Sequence, residues 1–243
     1  MNKKNSNSRK SKAKNSKSNS RKSKNNSKKT YAPYFVSLDK VKFEKDAIEQ
    51  HNRKNNNRIK VEMSPLSGSE PEYDPSSWGS NRIKPKHNCY SYALNHKFAK
   101  RKGKAQPGYF SGYKDVPDGQ YNCDTFYKRI SDDSPSLFLT TFEYKCPAGF
   151  HKGFMAVDNK SDPDYHFYRQ DRNGMWSHKP GRTEVTRLDA SKKEIKDPSR
   201  ANRSYTYFDY KDPCFFFCVN PKLAKDHSVQ VQNNNRKWFN IFN

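Results

Sequence analysis

Residues 165–179 read YHFYRQDRNGMWSHK, and this stretch decides the fold predicted for the chain. Two runs rich in aromatic residues, 165–170 and 175–179, flank the segment DRNG at 171–174. Aromatic runs separated by a short turn that contains Asn-Gly are typical of a β-hairpin. The stretch therefore predicts two antiparallel strands joined by a tight loop.

The predicted hairpin carries two histidines, His166 on its first strand and His178 on its second, twelve residues apart. Side chains alternate between the faces of a strand, so the length of the loop decides whether the two imidazoles meet. A three-residue loop with Gly174 in the left-handed conformation places them on one face, whereas a four-residue loop places them on opposite faces. On one face, His178 can fix the tautomer of His166. In the other arrangement, Gln170 and Asp171 are the alternative orienting groups.

The segments outside the hairpin complete an α+β pattern. Strands are predicted at 137–144, 153–157 and 213–220, the last of which reads PCFFFCVN. Helices are predicted from Cys89 onward and over 124–130. A helical first part followed by a meandering set of strands predicts an α+β fold with an antiparallel sheet.

Cys89 is the candidate nucleophile of the chain. It follows the helix-capping residue Asn88, so it lies in the first turn of the predicted helix. The partial positive charge of a helix start favours a thiolate over a thiol, and a nearby imidazolium favours it further. In this interpretation His166 takes the proton of Cys89, and His178 orients His166. The alternative interpretation makes Cys89 a small apolar residue buried in the core.

The Cys segment and the hairpin together resemble the NlpC-type papain-like thiol peptidases and amidases, over about residues 86–179. In that family a Cys opens a helix, and a later hairpin similar to HVGIYLGNGKFIHA carries two histidines. NCYSYAL at 88–94 is similar to the Cys segment, and the spacing of His166 and His178 matches that of the hairpin. The family's Asp-Cys-Ser-Gly sequence is absent. The 77 residues from Cys89 to His166 predict an insertion between them.

This resemblance implies a papain-like core and the cleavage of an amide bond through a thioester. It assigns Cys89 as the nucleophile, His166 as the base and His178 as the third member of the triad. The backbone N–H of Cys89 is a natural donor to the developing oxyanion. A second donor stays open among the side chains of Trp78, Asn81 and Asn88. Segments similar to NCY…YAL and HFYRQD…WSHKPG also occur in uncharacterised proteins of bacteria and large DNA viruses.

The chain is strongly basic, and much of the charge lies near its start. It has 243 residues, with 48 Lys and Arg against 25 Asp and Glu, and a net charge of +23. Residues 1–30 hold twelve of the cations with no acidic and no aromatic residue, and the hexapeptide NSRKSK occurs at 7–12 and again at 19–24. This composition predicts a disordered tail that binds DNA, RNA or another polyanion by counterion release. The alternative is a tail that only solubilises or targets the protein.

Four further cations lie in or near the hairpin, and their role is open between two interpretations. They either bind an anionic substrate or polyanion, or form an ordinary solvated face. These cations are Arg169, Arg172, Lys179 and Arg182.

Three parts are predicted along the chain. They are a disordered basic tail at 1–30, an extended transitional segment at 31–80 and a papain-like α+β domain at 81–243. The longest apolar run, 214–219, has six residues, far fewer than the roughly 20 that a membrane helix needs. No membrane span is therefore predicted. No apolar signal region follows the basic start.

The cysteines favour a reducing environment. Five cysteines form an odd and sparse set, which argues against a disulfide framework. They lack the close CxxC pairs that are typical of structural zinc, so neither a metal nor a cofactor is predicted. Cys214 and Cys218 are four residues apart on one strand, so both are expected on the same side of it. We therefore expect an intracellular or virion protein.

Two functions follow from these patterns. The first is a thiol hydrolase that cleaves an amide bond, in a peptide or an isopeptide-like link, through the triad Cys89, His166 and His178. Its basic tail would hold it at a polyanion. The second is a non-enzymatic structural, virion or nucleic-acid-associated protein in which the papain-like core is inert.

Overall fold

The computed structural model describes residues 62–97, 104–160 and 162–222. The predicted tail at 1–30 and most of the predicted segment 31–80 lie outside these residues. The described helices are α1 (Pro75–Gly79), α2 (Cys89–Ala93) and α3 (Cys123–Asp133), with 3-10 turns at Lys84–Lys86 and Tyr109–Ser111. The described strands are β1 (Phe138–Thr140), β2 (His151–Asp158), β3 (Asp164–Gln170), β4 (Trp176–His178) and β5 (Asp212–Val219). Helices packed on an antiparallel sheet confirm the predicted α+β class.

Helix α2 begins where the sequence predicts and ends early. The side chain of Asn88 caps it by accepting the N–H of Ser91 at 3.1 Å. The helix ends after five residues, because Asn95 takes a left-handed φ of 51°. The N–H groups of Asn95 and His96 then donate to carbonyls of the helix itself, each at 2.9 Å. This Schellman turn satisfies the last carbonyls and stops the helix.

Helix α3 contains the predicted helix at 124–130. Asn122 caps it by accepting the N–H of Thr125 at 2.9 Å. At its other end the carboxylate of Asp133 accepts the hydroxyl of Tyr90 at 2.7 Å, which ties α3 to α2. With 11 residues, α3 is the longest described helix. None of the helices in the described ranges has the length and apolar character that crossing a membrane requires.

The sheet has the strand order β1-β5-β2-β3-β4, and every neighbouring pair is antiparallel. Strand β5 comes last in the sequence but pairs between β1 and β2. The predicted strands at 153–157, 165–170 and 213–220 are present. The one predicted at 137–144 is shorter, because β1 ends at Thr140. The hairpin strands β3 and β4 lie at one side of the sheet.

Each face of the sheet is covered by different parts of the chain. What we call the helical face packs against α2 and α3 through Met155, Val157, Tyr165, Phe167 and Phe217. The opposite face, which we call the loop face, packs against residues 180–211. Its buried side chains include Phe154, Ala156, Tyr168 and Trp176, and the covering segment contributes Ile195 and Tyr210.

The hairpin closes with a three-residue loop. The N–H of Asp171 donates to the carbonyl of Met175 at 2.9 Å, and the N–H of Gly174 donates to the carbonyl of Asp171 at 2.8 Å. Gly174 has a φ of 85°, the left-handed conformation in which a side chain would be strained. Of the two loop lengths that the sequence left open, the shorter is present.

Two disulfides join β5 to its surroundings, so the expectation that the cysteines stay unbonded is wrong. Cys214 is bonded to Cys123 of α3, and Cys218 is bonded to Cys146 in the loop before β2. The register of β5 shifts at Cys214, which is the extra residue of a β-bulge. The bulge turns Cys214 towards α3, whereas Cys218 stays on the loop face. The expectation that both lie on one side of the strand is therefore also wrong.

Candidate functional site

The two hairpin histidines form a hydrogen-bonded pair on the loop face. Strands β3 and β4 place Tyr168 opposite His178, which makes His166 the diagonal neighbour of His178 on the same face. His166 Nε2 lies 2.7 Å from His178 Nδ1. The side chains are 3% and 0% exposed, respectively. The structure thus brings together two of the three predicted triad residues.

The hydrogen bonds around the pair define where its protons lie. Nε2 of His178 is 3.0 Å from the carbonyl oxygen of Leu188, which can only accept. His178 Nε2 therefore carries a proton, and its Nδ1 accepts from the Nε2–H of His166. When both rings are neutral, Nδ1 of His166 carries no proton.

Burial keeps both rings neutral. It lowers the pKa of His178 to about 4. Burial, together with the neighbouring His178, also lowers the pKa of His166 well below its usual range. The ring of Tyr210 stacks on His166 with centroids 5.0 Å apart and covers it. A buried base with so low a proton affinity is poorly suited to take a proton from a thiol near neutral pH.

Cys89 lies under the helical face, inside the core. Its sulfur is 3.9 Å from the carbonyl oxygen of Tyr165, and the residue is 5% exposed. Burial raises the pKa of the Cys89 thiol to about 12, and the carboxylate of Asp164 adds to this rise. Hydrogen bonds from the backbone N–H groups of Phe167 and Tyr90 lower the pKa by less than burial raises it. The predicted effect of the helix start is thus outweighed, and the thiol stays protonated.

Cys89 packs with side chains of the helical face of β3, whereas His166 is bonded to His178 on the loop face. Tyr165 and Phe167 point to the helical face, where they pack in the same cluster as Cys89. His166 stands between them in the sequence and therefore points to the loop face, where His178 lies. The sulfur of Cys89 contacts the backbone of this strand, at the carbonyl of Tyr165 and the N–H of Phe167. His166 is thus bonded to His178, as predicted for an orienting pair, and the approach of His166 to Cys89 stays a prediction.

The other residues considered for catalysis have structural surroundings of their own. Gln170 donates its side-chain N–H to a backbone carbonyl at 2.7 Å, and Asp171 belongs to a buried ion pair. Asn88 caps α2. Trp78 is 2% exposed and packs in a small apolar cluster, whereas Asn81 is exposed. Of the three side chains considered as second oxyanion donors, that of Asn88 is the one next to Cys89 in the sequence.

Arg169 is the centre of a buried polar network that the sequence analysis missed. Its side chain is 0% exposed. Its guanidinium lies 4.0 Å from the centre of the Tyr92 ring. It donates to Asp171 at 3.0 Å, the Tyr92 hydroxyl at 2.8 Å, Asn95 at 3.1 Å and the carbonyl of Glu72 at 3.0 Å. The network joins the hairpin to α2 and to the segment before α1. In the sequence, Arg169 lies within an aromatic run that is predicted to form a strand. A charge on a buried strand needs partners inside the protein, so this position could have indicated the network.

The four hairpin cations do not form one surface. Arg169 and Lys179 are buried and bonded to groups of the domain itself. Arg172 is exposed and paired with Glu72 at 2.5 Å. Arg182 is exposed, so it is the cation of the four that is left for a ligand.

No metal centre emerges from the described residues. The four cysteines considered for zinc are consumed in the two disulfides. Across residues 62–97, 104–160 and 162–222, no group of three or more His, Cys, Asp and Glu side chains is placed to hold a metal ion.

The structure is an α+β fold in which His166, His178 and Arg169 are buried and bonded to groups of the domain itself. The chain belongs to the family of Insoluble matrix shell protein 1 from Ruditapes philippinarum. The two are 34% identical over 140 residues, which cover 57% of this chain and 84% of that protein. No protein-family model matches the chain, and no solved structure matches it.

Proposed function

We propose that the protein is a structural, matrix-type protein, in line with the non-enzymatic function predicted from the sequence. The observation that carries the proposal is that Cys89 is buried in the apolar cluster of the helical face, whereas His166 is bonded to His178 on the loop face. The candidate reactive groups are buried and bonded within the domain, so they stabilise the fold. The name of the related shell protein, an insoluble matrix protein, supports a similar role here.

The likeness to a papain-like core is, in this proposal, one of architecture. A short helix that carries a cysteine packs on an antiparallel sheet, as the NlpC-type resemblance implies. Cys89 fills the interior of this arrangement beside Tyr165, as a buried apolar residue does. In this proposal the core has no catalytic activity. The experiment below tests the proposal against the thiol-hydrolase hypothesis.

We further propose that the protein folds in an oxidising compartment rather than inside a reducing cell. Two disulfides among five cysteines support this location, because such bonds rarely persist in a reducing cytosol. The relationship to a shell-matrix protein agrees with it. A virion surface is also oxidising, so this part of the sequence expectation is compatible with the proposal.

Native Cys89 is expected to react slowly with a thiol-alkylating reagent. With a pKa of about 12, about one thiol in 10⁵ is ionised at pH 7. In the absence of reductant Cys89 is the free cysteine of the chain. Labelling by iodoacetamide, followed by mass spectrometry, should be at least about 100-fold slower in the native protein than in denaturant.

The matched variants are His166→Asn, which removes the base, and Cys89→Ala, which reports background labelling. A structural protein shows slow labelling in both the native chain and His166→Asn, provided that circular dichroism shows the variant folded. Fast native labelling that disappears in His166→Asn would instead establish the Cys-His hydrolase.

Residues 1–30 are expected to supply most of the affinity for a polyanion. Each Lys or Arg that neutralises an anionic group releases a counterion, so binding is tight at low salt and falls steeply as salt rises. Replacing the ten Lys and two Arg of this segment by Gln should weaken binding to heparin at least about tenfold at 0.15 M salt. The Gln variant keeps the length of the tail, so it separates charge from chain length. Unchanged affinity and unchanged salt dependence would exclude the tail as the attachment segment.

A further inference from the structure

A second group of cations surrounds the turn at Gly181, and we call it the Gly181 cluster. It consists of Lys84, Lys104, Lys179 and Arg182. The ammonium of Lys179 donates to the carbonyls of Lys84 at 2.9 Å, His87 at 3.0 Å and Gly181 at 2.8 Å. The Nζ of Lys104 lies 3.8 Å from the position that a Cβ on Gly181 would take. The fold therefore holds cations from three separate segments around one turn.

The cluster has more positive than negative charge. Carbonyl oxygens satisfy the hydrogen bonds of Lys179 but do not neutralise it. Within the described structure, Glu184 is the carboxylate that is bonded to the cluster, through Lys84 at 2.6 Å. Four cations against this one carboxylate leave an excess of three charges.

Besides burial, repulsion between like charges lowers the pKa values of Lys104 and Lys179. Burial and then Arg182 lower the pKa of Lys104, and the carboxyl of Asp164 raises it by less. Burial, followed by Lys104, lowers the pKa of Lys179 to about 8. Like charges at this spacing repel, so a bound anion would stabilise the cluster.

We infer that the Gly181 cluster binds sulfate groups of an acidic polysaccharide. Arg182 offers a planar fork of N–H donors that matches an oxyanion, and Lys104 adds a point charge beside it. Lys179 is buried beside these two cations and attracts the anion through its positive charge without contacting it. The site would add to the tail a contact point on the folded domain.

The choice of polysaccharide rests on the proposed matrix function. The two disulfides favour a compartment outside the reducing cell, where acidic polysaccharides rather than nucleic acids are the abundant polyanions. The most exposed aromatic side chains in the described ranges, Tyr144 and Tyr207, belong to other segments of the chain. Among the described residues, the cluster therefore has no fully exposed aromatic side chain of the kind on which single-stranded nucleic acids stack.

The test compares two full-length double variants that lose the same charge. Lys104→Gln with Arg182→Gln removes the half-buried Lys104 and the exposed Arg182 of the cluster. Lys193→Gln with Arg200→Gln removes two exposed cations from the segment that covers the loop face. Heparin binding is measured by titration calorimetry between 0.05 and about 0.3 M salt, a range in which counterion release dominates.

The cluster variant should bind heparin about tenfold more weakly, with a salt slope reduced by nearly two, whereas the control variant should stay within about twofold of the wild type. Equal losses in both variants, or none in the cluster variant, overturn the site. If duplex DNA loses as much affinity as heparin, the polysaccharide assignment is overturned. The cluster variants keep Cys89 and the tail unchanged, so the cluster and the proposed structural function, which Cys89 labelling tests, can each fail alone.

Discussion

Removing the Cys146–Cys218 disulfide should lower the free energy of unfolding by about 4 kcal/mol, because the cross-link closes a loop with a sequence separation of 72. Cross-linking over such a distance mainly restricts the unfolded chain, and the loss grows slowly with loop length. The variant Cys146→Ala with Cys218→Ala removes the bond without leaving a reactive thiol. Urea unfolding followed by tryptophan fluorescence measures the change.

The second disulfide provides a matched comparison. Cys123→Ala with Cys214→Ala opens a loop with a sequence separation of 91, so a similar loss is expected. Cys89→Ala is the control for losing a buried cysteine without losing a cross-link, and it should cost far less. Wild-type protein in reductant should lose stability as the two double variants do together. If reductant leaves its unfolding curve unchanged, the disulfides do not form in solution and the proposed oxidising compartment loses its support.

The disulfides show which features of this fold short-range sequence patterns cannot predict. The hairpin, the cap at Asn88 and the helix at 124–130 depend on neighbouring residues, and all three were predicted, whereas the length of the hairpin loop was left open. The pairing of Cys214 with Cys123 depends on a bulge in a strand that inserts between β1 and β2. Neither the insertion nor the bulge has a signature in the local sequence.

The arrangement of the candidate site also depends on tertiary structure. Side chains alternate between the two faces of each hairpin strand. Once the loop length is known, the sequence alone therefore places His166 and His178 on the same face. The face of the sheet on which α2 packs is decided by tertiary structure, not by the local sequence. In retrospect, Tyr165 and Phe167 make one face of β3 apolar, and an apolar helix packs there. Strand alternation alone then places His166 on the loop face.

Replacing Arg169 by Met should lower the free energy of unfolding by about 3–5 kcal/mol. The change leaves the carboxylate of Asp171, which is 0% exposed, without its closest cation, and Arg187 is left at 3.5 Å. It also removes the donors to Tyr92 and Asn95. The neighbouring variant Arg172→Met is the matched control, because its pair with Glu72 has side chains 65% and 61% exposed. That exposed pair should contribute within about 1 kcal/mol.

The loss of folding free energy caused by Arg169→Met should become smaller as pH falls. Burial raises the pKa of Asp171 and Arg169 opposes this rise, so removing Arg169 raises the pKa further. A carboxyl whose pKa is higher in the folded than in the unfolded state binds more protons when folded, so folding becomes relatively more stable as pH falls. The difference between wild type and Arg169→Met should therefore shrink between pH 7 and about pH 5. A loss that stays constant over this range would mean that lost packing around Arg169, rather than the uncompensated carboxylate, sets its size. Equal losses in Arg169→Met and Arg172→Met would contradict the central role of the buried network.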